Sequence, residues 1–157
     1  MAVTADLFTV AAVEPAALAA ALAAAAGVSP ADVDVADADG DQESRTWDAP
    51  VLCSYTLLPS GGLGLVLDVY VVADEDPSGA ALTEAELARR LAAASGTTVF
   101  YPAEWFPPSA YWAVTADGLV TRALLVAPDD ECGPFTVDAV GAPVADLPAA
   151  VVRDDLP

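Results

Sequence analysis

The sequence contains no histidine and no lysine, and its 157 residues include only five basic side chains, all of them arginines. Without histidine, the chain has no Ser-His-Asp or Cys-His catalytic set and no imidazole for a metal ion. Without lysine, it has no amine for a Schiff base or for a phosphate-binding loop. We therefore expect a protein that is not an enzyme and that uses no cofactor.

The scarcity of basic residues also bears on the partners that the chain can bind. Its 24 acidic side chains outnumber the 5 basic ones and give a formal net charge of −19. Nucleic-acid binding needs a basic surface that displaces counterions from phosphates. We expect no nucleic-acid partner, whereas a basic protein would be attracted to this charge.

The chain has few cysteines and no long apolar run. Cys53 and Cys132 are too few for a disulfide framework, and their spacing fits no zinc motif, which predicts reduced thiols with a structural role. Residues 1–6 lack the basic region of a signal peptide, and the alanine-rich run is too short to span a bilayer. These features predict a cytoplasmic protein without membrane contact.

What the chain does have is enough apolar sequence for a core. Hydrophobic residues make up 55% of the chain, and the mean hydropathy is +0.49. A chain of this length usually forms one domain and buries about two thirds of its unfolded surface. We expect residues 1–157 to form a single globular domain.

Two segments carry the start and stop signals of helices. Residues 15–26 begin with Pro15, are almost all alanine and leucine, and are followed by Gly27. A second helix is predicted to run from Thr83 to Ser95, because Thr83 and Glu86 have the spacing of a capping box.

The remaining apolar runs have the length of strands. Turn residues at 59–62 and at Asp117-Gly118 predict two hairpins. In residues 63–72, alternate apolar side chains predict a central strand that is covered on much of both faces. The predicted strands span residues 7–13, 33–35, 50–58, 63–72, 97–101, 111–115, 119–126 and 135–140, with a short extended piece at 150–153.

The order of these elements predicts the fold class. Residues 8–27 and 69–96 both read as an apolar strand, an acidic turn with proline, an alanine- and leucine-rich helix and a glycine, which is a loose internal repeat. Two such units around a hairpin predict an α+β sandwich of the split βαβ type. Its sheet is expected to be mostly antiparallel, with both helices on one face and an added C-terminal hairpin.

A dense acidic segment, residues 32–43, has the composition of a calcium loop. Its spacing is wrong, because placing Gly40 at the sixth position of an EF-hand puts Val35 first and Thr46 twelfth. We therefore predict a solvated acidic loop and no metal site. Its candidate binding residues are Asp37, Asp39, Asp41 and Glu43. The acids at 74–76 and 129–131 lie in runs of like charge, which favours solvation over a catalytic carboxylate pair.

A second segment, residues 101–112, contains five aromatic residues and three prolines. Prolines reduce the entropy that a loop loses on docking, and Trp and Tyr dominate the energetics of protein interfaces. The segment predicts a partner-binding loop with Trp105 and Phe106 as apolar anchors and Tyr101 and Glu104 beside them. In the alternative interpretation, Trp105 and Phe106 cap the end of the core.

Small size, strong acidity, a proline-rich aromatic loop and the lack of catalytic residues together resemble the intracellular immunity proteins and antitoxins that neutralise basic bacterial toxins. The resemblance is one of type and not of motif. It implies a non-enzymatic inhibitor that masks a basic partner, with the acidic loop as an electrostatic rim. Two alternatives stay open: a self-associating module, such as a homodimer, whose acidity serves solubility, and a metal-binding protein or enzyme that uses only carboxylates.

Overall fold

The computed structural model describes residues 2–72, 82–104, 107–129 and 133–156. These residues form an α+β fold, which confirms the predicted class. A short 3-10 helix, Pro30–Asp32, precedes the second strand. The strands and helices are β1 (Ala2–Thr9), α1 (Pro15–Ala26), β2 (Val33–Asp37), β3 (Val51–Leu57), β4 (Leu65–Val72), α2 (Glu84–Ser95), β5 (Val99–Pro102), β6 (Ala110–Val114), β7 (Val120–Val126), β8 (Thr136–Val140) and β9 (Val151–Val152).

The strands of the described residues form a single nine-stranded sheet in the order β2-β3-β4-β1-β5-β6-β7-β8-β9. Neighbours are antiparallel except for the parallel pairs β2–β3 and β8–β9. Within this sheet, β3-β4-β1-β5 together with α1 and α2 has the split βαβ arrangement that the sequence predicts. The sheet is larger than expected, because β2 extends one edge and β6 to β9 extend the other.

The end of α1 and the start of α2 lie where the capping residues in the sequence predict them. Gly27 follows α1 in the left-handed conformation, with φ of 74°, and the Thr83 hydroxyl accepts a hydrogen bond from the Glu86 backbone N–H at 3.1 Å. The two helices pack side by side on the same face of the sheet. The residues that they bury include Leu18 and Leu22 of α1 and Leu87 and Leu91 of α2.

A second core lies on the opposite face of the sheet. It surrounds Phe8 and Phe100, and the Phe8 ring lies 5.0 Å from Phe135 and 5.8 Å from Tyr111 between centroids. Residues from segments 58–63 and 135–150 cover this part of the sheet. The C-terminal segment therefore contributes to the core, although its composition predicted little regular structure.

The added hairpin β6–β7 is confirmed, with Trp112 opposite Arg122 and Gly118 in the turn at φ of 94°. The strands β2 to β9 begin and end within two residues of their predicted bounds. The loose repeat is seen in β1–α1 and β4–α2, while the acidic turn at 74–76 lies outside the described residues. In the described parts of the chain, no helix is long and apolar enough to cross a bilayer.

Two strand predictions are wrong. The first strand was expected at 7–13, but β1 spans Ala2–Thr9, because every one of its residues pairs with β4. The chain bends away after Thr9, whose hydroxyl donates to the Ala11 carbonyl. The expectation that β4 is covered on much of both faces also fails. Tyr70 is 42% exposed and Val72 is 48% exposed, because both lie on the sheet face opposite the two helices.

Candidate functional site

The predicted acidic loop follows β2 at one edge of the sheet. Asp37 Oδ1 accepts a hydrogen bond from the Asp39 backbone N–H at 2.9 Å, and Asp41 Oδ1 accepts one from Glu43 at 2.8 Å. The Gln42 side-chain amide donates to three backbone carbonyls of the loop at 3.0–3.4 Å. These contacts order the loop, and they leave the four acidic side chains exposed to solvent.

A buried arginine ties the end of this loop to the sheet. Arg45 Nε donates to Asp34 Oδ2 at 2.6 Å, and its Nη1 donates to Ser54 Oγ at 2.9 Å. Its Nη2 donates to the Cys53 carbonyl at 3.2 Å, and the Arg45 side chain is only 1% exposed. The guanidinium also lies 5.1 Å from the ring of Trp47, which is 61% exposed. The positive charge of Arg45 is therefore neutralised by Asp34 inside the fold and is not available to a partner.

Two of the predicted aromatic-segment residues, Tyr101 and Glu104, line a cleft beside the start of α2. Tyr101 pairs with Trp112 across β5 and β6. The cleft has a volume of about 300 Å³, and its lining residues are Thr83, Glu84, Ala85, Tyr101, Pro102, Glu104 and Trp112. The predicted anchors Trp105 and Phe106 lie outside the described residues.

The cleft is acidic as well as aromatic. Burial raises the pKa of Glu84, and the negative charges of Asp6 and Glu104 raise it further. The Asp6 backbone N–H opposes this effect by donating to Glu84 Oε2 at 3.3 Å. Burial and the charge of Glu84 also raise the pKa of Tyr101. A cationic side chain would relieve this repulsion and contact aromatic rings at the same time.

Sequence reasoning missed the role of Glu84. The capping pattern identifies Thr83 and Glu86, but it does not tell which first-turn carboxylate faces the sheet. Glu84 faces it because α2 packs over β1 and β5, where the Asp6 N–H is available to the Glu84 carboxylate. The only sequence signal was an additional acid in the first turn, which is common there because it favours the helix dipole.

The acidic loop and the cleft are not adjacent. Asp37 pairs with Tyr55 of β3, and β4 and β1 lie between β3 and the cleft strand β5. At about 4.8 Å per strand, the four steps from β2 to β5 separate the two regions by about 19 Å. An interface of ordinary size, about 800 Å² on each partner, can still include both.

Other reactive groups are placed unfavourably for chemistry. The Cys53 thiol is buried, and desolvation raises its pKa to about 12. Within the ranges that the structure describes, no three Cys, Asp or Glu side chains lie close enough together to hold a metal ion. Cys132 and the acidic residues 74–76, 130 and 131 lie outside those ranges.

Every arginine of the chain is engaged within the fold. Arg45 pairs with Asp34, Arg89 and Arg90 pair with Glu86, and Arg153 pairs with Asp155. Arg122 Nη1 donates to the Leu156 carbonyl at 2.8 Å, and its guanidinium lies 5.7 Å from the Trp112 ring. Among the described residues, no ion pair includes Asp37, Asp39, Asp41 or Glu43 of the acidic loop, or Glu84 or Glu104 of the cleft.

Comparison of the chain with protein-family models, with curated proteins and with solved structures found no match. No family and no known activity therefore carries over to this chain, and its function is argued from the geometry and charge of its own residues.

Proposed function

We propose that this chain is a non-enzymatic binding protein that masks a basic partner protein, in the manner of an immunity protein or an antitoxin. The observation that carries the proposal is that the arginines already have partners within the chain, whereas many described carboxylates have no ion-pair partner. All five contact acceptors of the same chain, Arg45 inside the fold and Arg89, Arg90 and Arg153 in ion pairs at the surface. Asp37, Asp39, Asp41 and Glu43 of the acidic loop and Glu84 and Glu104 of the cleft have no ion-pair partner among the described residues. A partner that brings positive charge would be steered to this surface and held there.

The two regions suit different parts of such an interface. The acidic loop has exposed carboxylates on an ordered backbone, which is suited to long-range attraction at an interface rim. The cleft combines the carboxylates of Glu84 and Glu104 with the rings of Tyr101 and Trp112, which is suited to an arginine or lysine side chain. Trp105 and Phe106, next to the cleft in sequence, remain the predicted apolar anchors.

The proposal is tested by affinity capture from the native host lysate at low salt, followed by elution with rising salt and mass spectrometry. We expect the wild-type chain to retain one basic protein and release it as salt screens the charges. With the captured protein purified, Trp105→Ala is expected to raise its dissociation rate. Retention of nothing basic by the wild-type chain contradicts the proposal.

The rim is tested with two variants of equal charge. In the first, Asp37, Asp39 and Asp41 are changed to Asn and Glu43 to Gln, which keeps the side-chain oxygens that order the loop. In the control, four exposed acids outside residues 32–43 are changed to Asn: Asp48, Asp129, Asp138 and Asp154. The loop variant should slow association more than the control does. Equal slowing would mean that net charge acts without a defined rim.

Self-association is the second candidate, and the far edge of the sheet favours it. The edge strand β9 exposes Val151 by 58% and Val152 by 50%, and nearby Val120 is 46% exposed. Exposed apolar edge strands can pair with another chain. Sedimentation velocity over a wide concentration range tests this candidate, since a homodimer gives a sedimentation coefficient that rises with concentration. Val151→Lys should then abolish the rise.

A further inference from the structure

On the sheet face opposite the helices, a group of side chains is left exposed in the part of the chain that the structure describes. Strand alternation places even-numbered residues of β1, β3 and β4 on this side, and Phe8 marks the boundary of the second core that covers the rest of it. We call this part of the sheet the bare face. Its residues are Thr4, Asp6, Leu52, Asp68, Tyr70 and Val72, of which all but Leu52 are exposed.

Two carboxylates occupy the centre of the bare face. Asp6 of β1 and Asp68 of β4 are direct partners in the antiparallel register. Like charges directly opposite each other destabilise a sheet, and aspartate is among the poorest strand residues. No ion pair among the described residues includes either side chain. Ser54 lies opposite Asp68 on β3 and accepts a hydrogen bond from Arg45, but this guanidinium is ion-paired with Asp34. Two central strands therefore carry a pair of like charges with no ion-pair partner of their own among the described residues.

Apolar and aromatic side chains also lie beside this acid pair. Tyr70 is 42% exposed and Val72 is 48% exposed, and Leu52 lies opposite Tyr70 on β3. Beside Asp6, on the side away from β4, lies Tyr111. Tyr111 is half-buried, and its burial and the negative charge of Asp6 raise its pKa. Apolar side chains that exclude water strengthen a charge interaction that they surround, as at the hot spots of protein interfaces.

We propose that the bare face is the docking surface for the basic partner, with an arginine or lysine of the partner seated between Asp6 and Asp68. The inference rests on the proposed function. To the acidic loop and the cleft it adds a contact region on the sheet face opposite Tyr101 and Trp112, and it names the side chain that the partner presents there. Charge complementarity selects this occupant. A second copy of the chain, itself at a net charge of −19, would bring four aspartates together at the same centre.

The probes are two fluorescein-labelled peptides, octaarginine and an octapeptide of alternating arginine and leucine. Binding is measured by fluorescence anisotropy in about 50 mM and about 500 mM NaCl. The test variant is Asp6→Asn with Asp68→Asn. Its control is Asp129→Asn with Asp154→Asn, which removes the same two charges from exposed positions on the β7–β9 side of the sheet.

We expect the test variant to bind the alternating peptide about tenfold more weakly than the wild-type chain, and the control to differ by less than about twofold. The thermal midpoint of the test variant should rise, because the opposed charges are gone, so that weaker binding cannot reflect unfolding. A second variant, Tyr70→Ser, should weaken binding of the alternating peptide and leave octaarginine binding unchanged, because it removes only apolar contact.

The outcomes distinguish a failure of the docking surface from a failure of the proposed function. Equal weakening by the test and control variants, or no effect of Tyr70→Ser on the alternating peptide, overturns the docking surface. In that case the proposed function stands, with charge acting from the whole surface. Wild-type binding of both peptides that does not weaken in high salt overturns the electrostatic basis of the proposed function itself.

Discussion

Arg45 Nε lies 2.6 Å from Asp34 Oδ2, and this contact ties the middle of the connection between β2 and β3 back to β2. Those strands are parallel neighbours, and parallel strands need a crossover connection, which is usually a helix. Here the connection, residues 38–50, contains no helix. The ion pair and the Arg45 bond to Ser54 hold it against the sheet instead.

Asp34→Asn is expected to lower the free energy of unfolding by about 3 kcal/mol, because it leaves a buried guanidinium without its counter-charge. Urea unfolding at about pH 7 measures the change. Asp41→Asn is the control, since Asp41 is exposed in the same connection and Asn keeps its backbone hydrogen bond. If both variants unfold at the wild-type urea concentration, the Arg45 contact does not stabilise the fold.

Glu86 should make the stability of α2 depend on acid pH. The hydrogen bond from Arg89, with a further contribution from Arg90, lowers the pKa of Glu86 from 4.5 to about 2. A lowered pKa in the folded state contributes stability above the unfolded-state pKa, and this contribution is lost as the pH falls from about 4.5 to about 2. The three side chains are partly exposed, so solvent screening limits the effect.

Glu86→Gln should therefore cost about 0.5–1 kcal/mol at neutral pH and almost nothing near pH 2. Thermal unfolding of the variant and the wild-type chain across this range measures the difference. Glu14→Gln serves as a control, because Glu14 precedes α1 without a side-chain capping bond. A difference that stays constant down to about pH 2 would exclude the paired carboxylate as its cause.

The Cys53 thiol is expected to be unreactive toward thiol reagents in the folded protein. It is 0% exposed, and desolvation raises the pKa of its thiol to about 12, so almost no thiolate exists at neutral or mildly alkaline pH. The Cys132→Ser variant leaves Cys53 as the only thiol of the chain. Ellman's reagent should find no reactive thiol in the native variant and one after unfolding in guanidinium. Rapid native reaction would mean that the central strands open.

Gly64→Ala tests the close approach of β4 to the bend after β1. A Cβ atom at Gly64 would lie 2.5 Å from the backbone of Ala11 and Ala12. Because backbone atoms cannot move aside cheaply, we expect a loss of about 3 kcal/mol in the free energy of unfolding. Gly27→Ala, where the Cβ meets no atom within 4 Å and only the positive φ is unfavourable, should cost about 1 kcal/mol. Similar losses at both positions would contradict this packing.

Local patterns predicted much of this fold. The helices follow from Pro15, Gly27, Thr83 and Gly96, because capping depends on residues close in sequence. The hairpin β6–β7 follows from its turn at Gly118, and the split βαβ arrangement follows from the order of elements. The first strand was misplaced because its pairing with β4 involves residues more than fifty positions away, which no local window contains.

For the candidate site as well, some features follow from the sequence alone and others depend on the tertiary structure. Composition alone determined the excess of acid and the absence of histidine and lysine, since these are properties of the chain in any conformation. Tertiary structure decided where that charge is left unpaired. It buried Arg45 against Asp34, turned Glu84 toward Asp6, and set Asp6 beside Asp68 across two strands. Charge interactions depend on distance and burial, and only the folded chain sets both.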